Sequence, residues 1–274
     1  HFSTCLDVWI VNGIRYSIAA LIWLPVVAVL LRRDSRLQSV WRAAIVPSIV
    51  NFCGQVGWGI TPYFSDASVV AFGIESTFLF TVAFGLTLLP QERRLGRLPL
   101  FWVGAITCVA GIVAMYGASL RQGGRTSWIG ISVIVATSLF WGLYPVVIRR
   151  FMKGYPARLS FGVISSYTAL GLVVLMDIRG DFGPLFALSP GNWLLLVLSA
   201  IIGIAVSHVL LYRALAGLGA LVTSGAGLVQ PFLTWLGAAL LLGEQISSLQ
   251  FAGGLIIVAG AFLLILAESR VSGE

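Results

Sequence analysis

The sequence predicts an all-α polytopic membrane protein made of two inverted repeats of five transmembrane helices. Nine of those helices are expected in this chain, the absent one being the first helix of the first repeat. Three observations predict this. Hydrophobic residues make up 58% of the 274 residues and charged residues only 10%, whereas a soluble domain carries about 25% charged residues. So little charge does not cover a surface in water, which leaves a surface that faces lipid. Nine stretches are apolar over the length of about 20 residues that a helix needs to cross the hydrocarbon core. The chain also repeats itself at roughly half its length.

The stretches follow in order. Val8–Leu31 is interrupted only by a few polar residues and runs into Arg32 and Arg33. Trp41–Pro62, Ala67–Leu89 and Leu98–Gly117 complete the first half. Trp128–Ile148 opens the second, followed by Ser160–Met176, Trp193–Tyr212, Leu218–Leu242 and Phe251–Ala267. None alternates with a period of two, and all are too long for strands. The loops between them are short and hold most of the charge.

That charge is asymmetric. The net charge is +7, from 17 Lys+Arg against 10 Asp+Glu. Arg32, Arg33, Arg36 and Arg42 fall on one side of the membrane. Arg93, Arg94 and Arg97, then Arg149, Arg150, Lys153 and Arg158, then Arg213 fall on the same side. Asp66, Arg121, Arg125, Arg179, Asp181 and Glu244 make the other side mixed. The positive-inside rule places the basic side in the cytoplasm, and the C-terminus with it. A basic balance of this kind orients helices, and no basic stripe interleaved with aromatics points to nucleic acid. The cysteines, Cys5, Cys53 and Cys108, are isolated. They match neither a metal site nor a disulfide framework, and nothing calls for a cofactor.

The repeat places residues 1–120 in one unit and 126–274 in the other. Gly104 matches Gly253 at an offset of 149, and Val109-Ala110-Gly111 matches Val258-Ala259-Gly260. Upstream, Gly73 to Leu79 matches Gly227 to Leu233 at an offset of 154, with a longer loop in the first half absorbing the difference. Five spans per unit make the second unit enter from the opposite face, as in the inverted repeats of secondary transporters. The second half has five spans and the first has four, so the missing span is expected before Val8. The chain starts at His1, which fits a fragment.

Phe140-Trp141-Gly142-Leu143-Tyr144, Leu211-Tyr212-Arg213-Ala214-Leu215 and Gln230-Pro231-Phe232, running on to Leu241-Leu242-Gly243-Glu244, occur in that order, followed by Phe251 to Gly254 and Ala259-Gly260. In these stretches the second half resembles the EamA-type domain of the drug/metabolite transporter superfamily, and the first half resembles it more weakly. The resemblance implies ten helices in two inverted units. It also implies a central cavity lined mainly by the first four helices of each unit, with the fifth outside. Family members export amino acids, other small metabolites or drugs. The first unit departs from the pattern with Glu75-Ser76-Thr77 where the second has Val229-Gln230-Pro231.

Polar groups within a span are costly and need a partner, water or a purpose. Arg15 and Glu75 fall at similar depths from the outer face. They read either as a charged pair that meets a zwitterionic substrate or as a structural ion pair. Asn12 lies about one turn from Arg15, and Asn51 and Gln55 are one turn apart. These line a cavity or bond between helices. Gln230-Pro231 is expected mid-membrane as a kink that frees a backbone carbonyl. Trp141 and Tyr144 lie deep in their span and suit either an aromatic wall or ordinary packing. Trp58 and Tyr212 occupy equivalent repeat positions near opposite faces, as gates or interfacial anchors. Glu75 and His208 are the candidates for proton coupling. Ser199, Gly203 and Ser207 form a small-residue stripe that reads as close packing, and Glu92 and Glu244 read as braces for loops.

The expected function is therefore export of small organic metabolites, amino acids first, by alternating access through a midplane cavity in a bacterial inner membrane. Protons are a candidate coupling ion. Efflux of drugs, nucleosides or other metabolites is the alternative within the class. A membrane sensor or assembly subunit and a membrane enzyme are the alternatives outside it. The enzyme has no motif to support it: no paired carboxylates at depth, no nucleophile elbow and no P-loop.

Overall fold

The computed structural model describes residues 6–65, 67–120, 127–242 and 248–272. Of the residues named above, His1, Cys5, Asp66, Arg121, Arg125, Gly243 and Glu244 lie outside these ranges. All regular structure among the described residues is helical.

Helix α1 (Val8–Arg33) starts where the Asp7 carboxylate accepts the Ile10 N–H at 2.9 Å, and it ends with Arg32 and Arg33 in its last turn. An acceptor at the start and cations at the end both suit the helix dipole. Outside the span, Arg36 pairs with Asp34 at 3.1 Å and holds that carboxyl below the usual range. Helices α2 (Ile45–Phe64), α3 (Ala67–Ile74), α4 (Thr77–Leu88) and α5 (Pro99–Leu120) follow. The second half contains α6 (Trp128–Phe151), α7 (Ala157–Arg179), α8 (Pro190–Ala200), α9 (Ser207–Gly227), α10 (Gln230–Leu242) and α11 (Ser248–Ser272). A π-helical turn, Ile201–Val206, joins α8 to α9.

Among the described residues, five helices are long and apolar enough to cross a membrane, or up to seven if each of two bent pairs counts as one span. This is fewer than the nine expected, for a local reason. The third expected span is split into α3 and α4 at Glu75 and Ser76. The eighth is split at Leu228 and Val229, between α9 and α10. The seventh runs on into the eighth through Gly219, which has a φ of +83° within α9. A continuous apolar run does not distinguish one long helix from two short ones.

The chain packs as two units that cut across the sequence repeats. One comprises residues 1–60 and 147–217, and the other residues 61–146 and 218–274. Each takes helices from both halves of the chain.

In the first unit α1 packs along α7. A Cβ on Gly13 would lie 3.0 Å from the Met176 Cβ, and one on Gly162 would lie 3.2 Å from the Trp23 Cβ and meet Val27 as well. An offset of 149 carries Gly13 to Gly162 and Val27 to Met176, so the two contacts are the same contact with the helices exchanged.

In the second unit α5 packs along α11 in the same manner. Gly104 lies against the Gly260 carbonyl, with 3.0 Å to an added Cβ, and Gly111 lies against that of Gly253, with 2.8 Å. Between them the Cys108 thiol donates to the Ile257 carbonyl at 3.7 Å. The offset is again 149: Gly104 to Gly253, Cys108 to Ile257, Gly111 to Gly260. Reciprocal contacts of this kind mark a local two-fold axis, and here Cys108 meets its own counterpart. Glycine is required at these positions because the backbones touch. The buried stripe Phe101, Gly104, Cys108, Gly111 faces the partner helix, while Val103, Ile106 and Val113 are exposed. Both faces are apolar, as expected when the solvent on the outer face is lipid.

Candidate functional site

Five of the residues singled out in the sequence gather in the first unit: Asn12, Arg15, Asn51, Gln55 and His208. Tyr16, on α1, is fully buried at their centre. Its hydroxyl accepts from Gln55 Nε2 at 2.6 Å and donates to Asn51 Oδ1 at 3.4 Å, and Asn51 Nδ2 donates to Thr168 Oγ1 on α7 at 3.0 Å. Three helices are thus tied by one chain of hydrogen bonds, which answers the cost of polar groups at depth.

Arg15 lies one residue from Tyr16 and is half-buried. Its guanidinium donates through one terminal nitrogen to the Ser199 carbonyl at 3.3 Å. Ser199 stands two residues before the π-turn, where the regular i→i+4 pairing is interrupted. Such turns often mark functional sites. A Cβ on Gly203 would lie 3.1 Å from the guanidinium, so part of the small-residue stripe on this span makes room for Arg15. The Arg15 Nε is buried and without a hydrogen-bond partner among the described residues. So is Nδ2 of Asn12, one turn away on the same helix. Helix α1 thus carries two buried, unused donors one turn apart.

His208 is held among rings. Phe161 stacks on it with centroids 5.0 Å apart, Tyr16 meets it edge-on at 6.4 Å, and its Nδ1 lies 3.1 Å from the Ile204 carbonyl. Phe161 also meets Tyr212 edge-on at 5.8 Å. Tyr212 is buried, which does not fit an interfacial anchor, whereas Trp58 is 44% exposed on α2.

Glu75, Trp141, Tyr144 and Gln230 belong to the second unit, so the structure divides the sequence candidates between two packing units. Glu75 is half-buried in the break between α3 and α4. At the break the Gly73 carbonyl accepts three times: from the Ser76 backbone N–H at 3.1 Å, from Ser76 Oγ at 2.7 Å and from Ser138 Oγ, on α6, at 3.3 Å. Gly142 of the Trp-Gly pair packs on the restart of the helix, where its Cβ would lie 2.8 Å from the Thr77 carbonyl. Beside it Trp141 and Tyr144 meet edge-on, with centroids 5.8 Å apart.

The second break corrects the expectation for Gln230-Pro231. They do not kink a continuous helix; they open α10, and the interruption is at Leu228 and Val229. Proline is comfortable there, because the first turn of a helix needs no N–H from it. The two breaks fall at matching repeat positions, Glu75 against Val229 at the offset of 154. Interrupted helices at matching positions in two halves mark the binding region of many transporters.

Sequence reasoning missed Tyr16, Thr168 and the Ser199 carbonyl. Tyr16 carried a signal: a phenol in mid-span, next to an arginine and one turn from an asparagine. The Ser199 carbonyl carried none, because a backbone acceptor reached by a distant arginine leaves no mark on the local sequence.

Residues 128–266 match the EamA-like transporter family. The chain is 24% identical over 204 residues to an uncharacterized transporter of Clostridium kluyveri, covering 73% of this chain and 64% of that protein. It is 25% identical over 247 residues to a WAT1-related protein of Arabidopsis thaliana, covering 77% of this chain and 67% of that one. The chain thus spans about two thirds of the length of these relatives. A solved crystal structure has the same fold, with a TM-score of 0.74 over 96% of this chain and 88% of the other, at 18% identity.

Proposed function

The chain belongs to the EamA-like transporter family, within the drug/metabolite transporter superfamily, and from that premise we propose that it is a secondary transporter exporting small organic metabolites that carry a carboxylate, amino acids first. The observation that carries this reading is the pair of buried donors without partners, Arg15 Nε and Asn12 Nδ2. A carboxylate has two oxygens to meet two such donors, and a charge-assisted bond is stronger than a neutral one. Transport proceeds by alternating access through a midplane cavity. Nothing in this chemistry calls for an enzyme or a cofactor. The setting is a bacterial inner membrane with the C-terminus in the cytoplasm. Residues 1–120 and 126–274 are its two repeats. Glu75 and His208 are the groups through which protons would couple to transport.

A second reading, efflux of apolar or aromatic drugs or nucleosides, is favoured by Trp141, which is half-buried edge-on to the buried Tyr144 and keeps part of its ring open to a solute.

Counterflow with full-length protein in proteoliposomes separates these readings. Vesicles preloaded with unlabelled amino acids, nucleosides or cationic drugs are each tested with the matching labelled tracer. Amino-acid counterflow that falls at least ten-fold in Arg15→Gln, with Trp141→Ala less affected, is the expected result. Counterflow of drugs or nucleosides alone, lost in Trp141→Ala and indifferent to Arg15→Gln, overturns the carboxylate reading. Absence of counterflow with every class, from folded protein, overturns the carrier reading itself.

A further inference from the structure

A cleft of about 810 Å³ opens in the first unit where the segment after α6 turns into α7, and the residues Tyr212–Ala216 of α9 form its far wall. Four cations line it, Arg149, Lys153, Arg158 and Arg213, and no carboxylate does. Arg149 is fixed by donating to the Ala216 carbonyl at 2.6 Å. The other three are exposed at the rim. Helix α7, 23 residues long, starts at the same place with Pro156 as its N-cap, and no side chain caps its first N–H groups. One turn inside, Ser160 lines the cleft at 2% exposure, and its hydroxyl has no partner among the described residues.

We propose that this cleft binds a phosphate group, at a site separate from the Arg15 region. Three independent features point to one ligand chemistry. An uncapped helix N-terminus presents N–H groups and a positive dipole end, which suits phosphate. Arginine forks match phosphate oxygens two at a time. The buried Ser160 hydroxyl supplies a neutral donor at the bottom, and it is costly to bury unless something accepts from it. The number of cations selects the charge. A phosphomonoester carries about −1.5 to −2 near neutral pH and offers three acceptor oxygens, a closer match to four cations than a single carboxylate. The remaining volume accommodates whatever the phosphate is attached to. Two sources present this chemistry at a membrane surface: the headgroup of an anionic phospholipid and a free phosphorylated solute.

The test uses full-length protein and reads binding. Delipidated protein in detergent is titrated calorimetrically with inorganic phosphate at constant ionic strength, against chloride. Retention of phosphatidylglycerol relative to phosphatidylcholine is measured on the same protein by native mass spectrometry. The variants are the rim double substitution Lys153→Ala with Arg158→Ala, then Ser160→Ala, and Arg36→Ala as an exposed cation outside the cleft. Phosphate binding, or selective phosphatidylglycerol retention, is expected to fall at least ten-fold in the double variant, to fall in Ser160→Ala, and to stay unchanged in Arg36→Ala. Binding should also weaken as salt is raised. Phosphate binding to delipidated protein assigns the soluble source, and lipid retention without it assigns the headgroup. Each supports the site. No binding of either, or equal loss in Arg36→Ala, overturns it. The Ser160→Ala variant removes a buried hydroxyl without a partner, so its melting temperature without phosphate should hold or rise, which separates loss of the site from loss of the fold. Flux plays no part in these measurements, so a failure here leaves the carrier reading standing.

Discussion

A buried carboxylate is costly unless both oxygens are used, and Glu92 uses both. It is 3% exposed, on the short turn after α4, and it accepts from the backbone N–H of Ala220 and, at 2.9 Å, from that of Leu221. These are the first two residues after Gly219, whose positive φ ends one helical stretch and starts the next. A negative charge at the start of a helix is the favourable arrangement. The sequence marked Glu92 as a brace for a loop. It held no sign that the group braced lies 128 residues away, because a cap between distant segments leaves no local spacing to read. Removing the carboxylate strands two buried donors, so Glu92→Ala should cost about 1–3 kcal/mol per donor. It should lower the melting temperature in detergent by more than Glu92→Gln, which keeps one oxygen acceptor. Equal melting of wild type and Glu92→Ala would show that water satisfies those N–H groups. Gly219→Ala should be destabilising for two reasons: a φ of +83° strains an L-residue, and its Cβ would lie 2.7 Å from Glu92 Oε1.

Among the elements, the two broken helices were only half legible. The sequence showed proline at one of them and placed the distortion there. The structure puts Pro231 inside the first turn of α10 and the break before it, while the matching break at Glu75 and Ser76 has no proline at all. At Glu75 and Ser76 the Gly73 carbonyl, met locally by Ser76, gains tertiary support from the Ser138 hydroxyl of α6. That support comes from a different helix, so a window along the chain could not predict it. The Trp-Gly motif becomes intelligible for the same reason, since Gly142 lets α6 reach the restart at Thr77. Gly142→Ala should overpack that contact and cost about 1–3 kcal/mol, seen as a lower melting temperature. Pro231→Ala tests the opposite expectation. It restores an N–H that the first turn does not need, so the melting temperature should stay the same. If the break serves transport, the initial rate of counterflow should fall several-fold. An unchanged rate would leave the second break with a purely structural role.

At the scale of the molecule, the internal offset was legible in the sequence, whereas the packing was not. The offset of 149 came from matching Gly104 with Gly253 and Val-Ala-Gly with Val-Ala-Gly. The structure brings the matched positions into reciprocal contact, and the same offset relates Gly13 and Val27 of α1 to Gly162 and Met176 of α7, where only scattered identities such as Gly13 with Gly162 mark the repeat. Contacts repeated by symmetry persist after the residues making them have diverged, because each helix must still fit its counterpart. The division into packing units could not be read from sequence, since each unit takes helices from both halves. In a carrier working by alternating access, helices packed within one unit are expected to move together. Cys108 and Ile257 give that expectation a direct test. The thiol already touches the Ile257 backbone at 3.7 Å, so Ile257→Cys should oxidise readily to an α5–α11 cross-link, identified as a linked peptide by mass spectrometry. If α5 and α11 stay together through the cycle, cross-linked protein should keep its counterflow rate. A rate that collapses on oxidation and recovers on reduction would mean that the small-residue seam between these helices opens during transport.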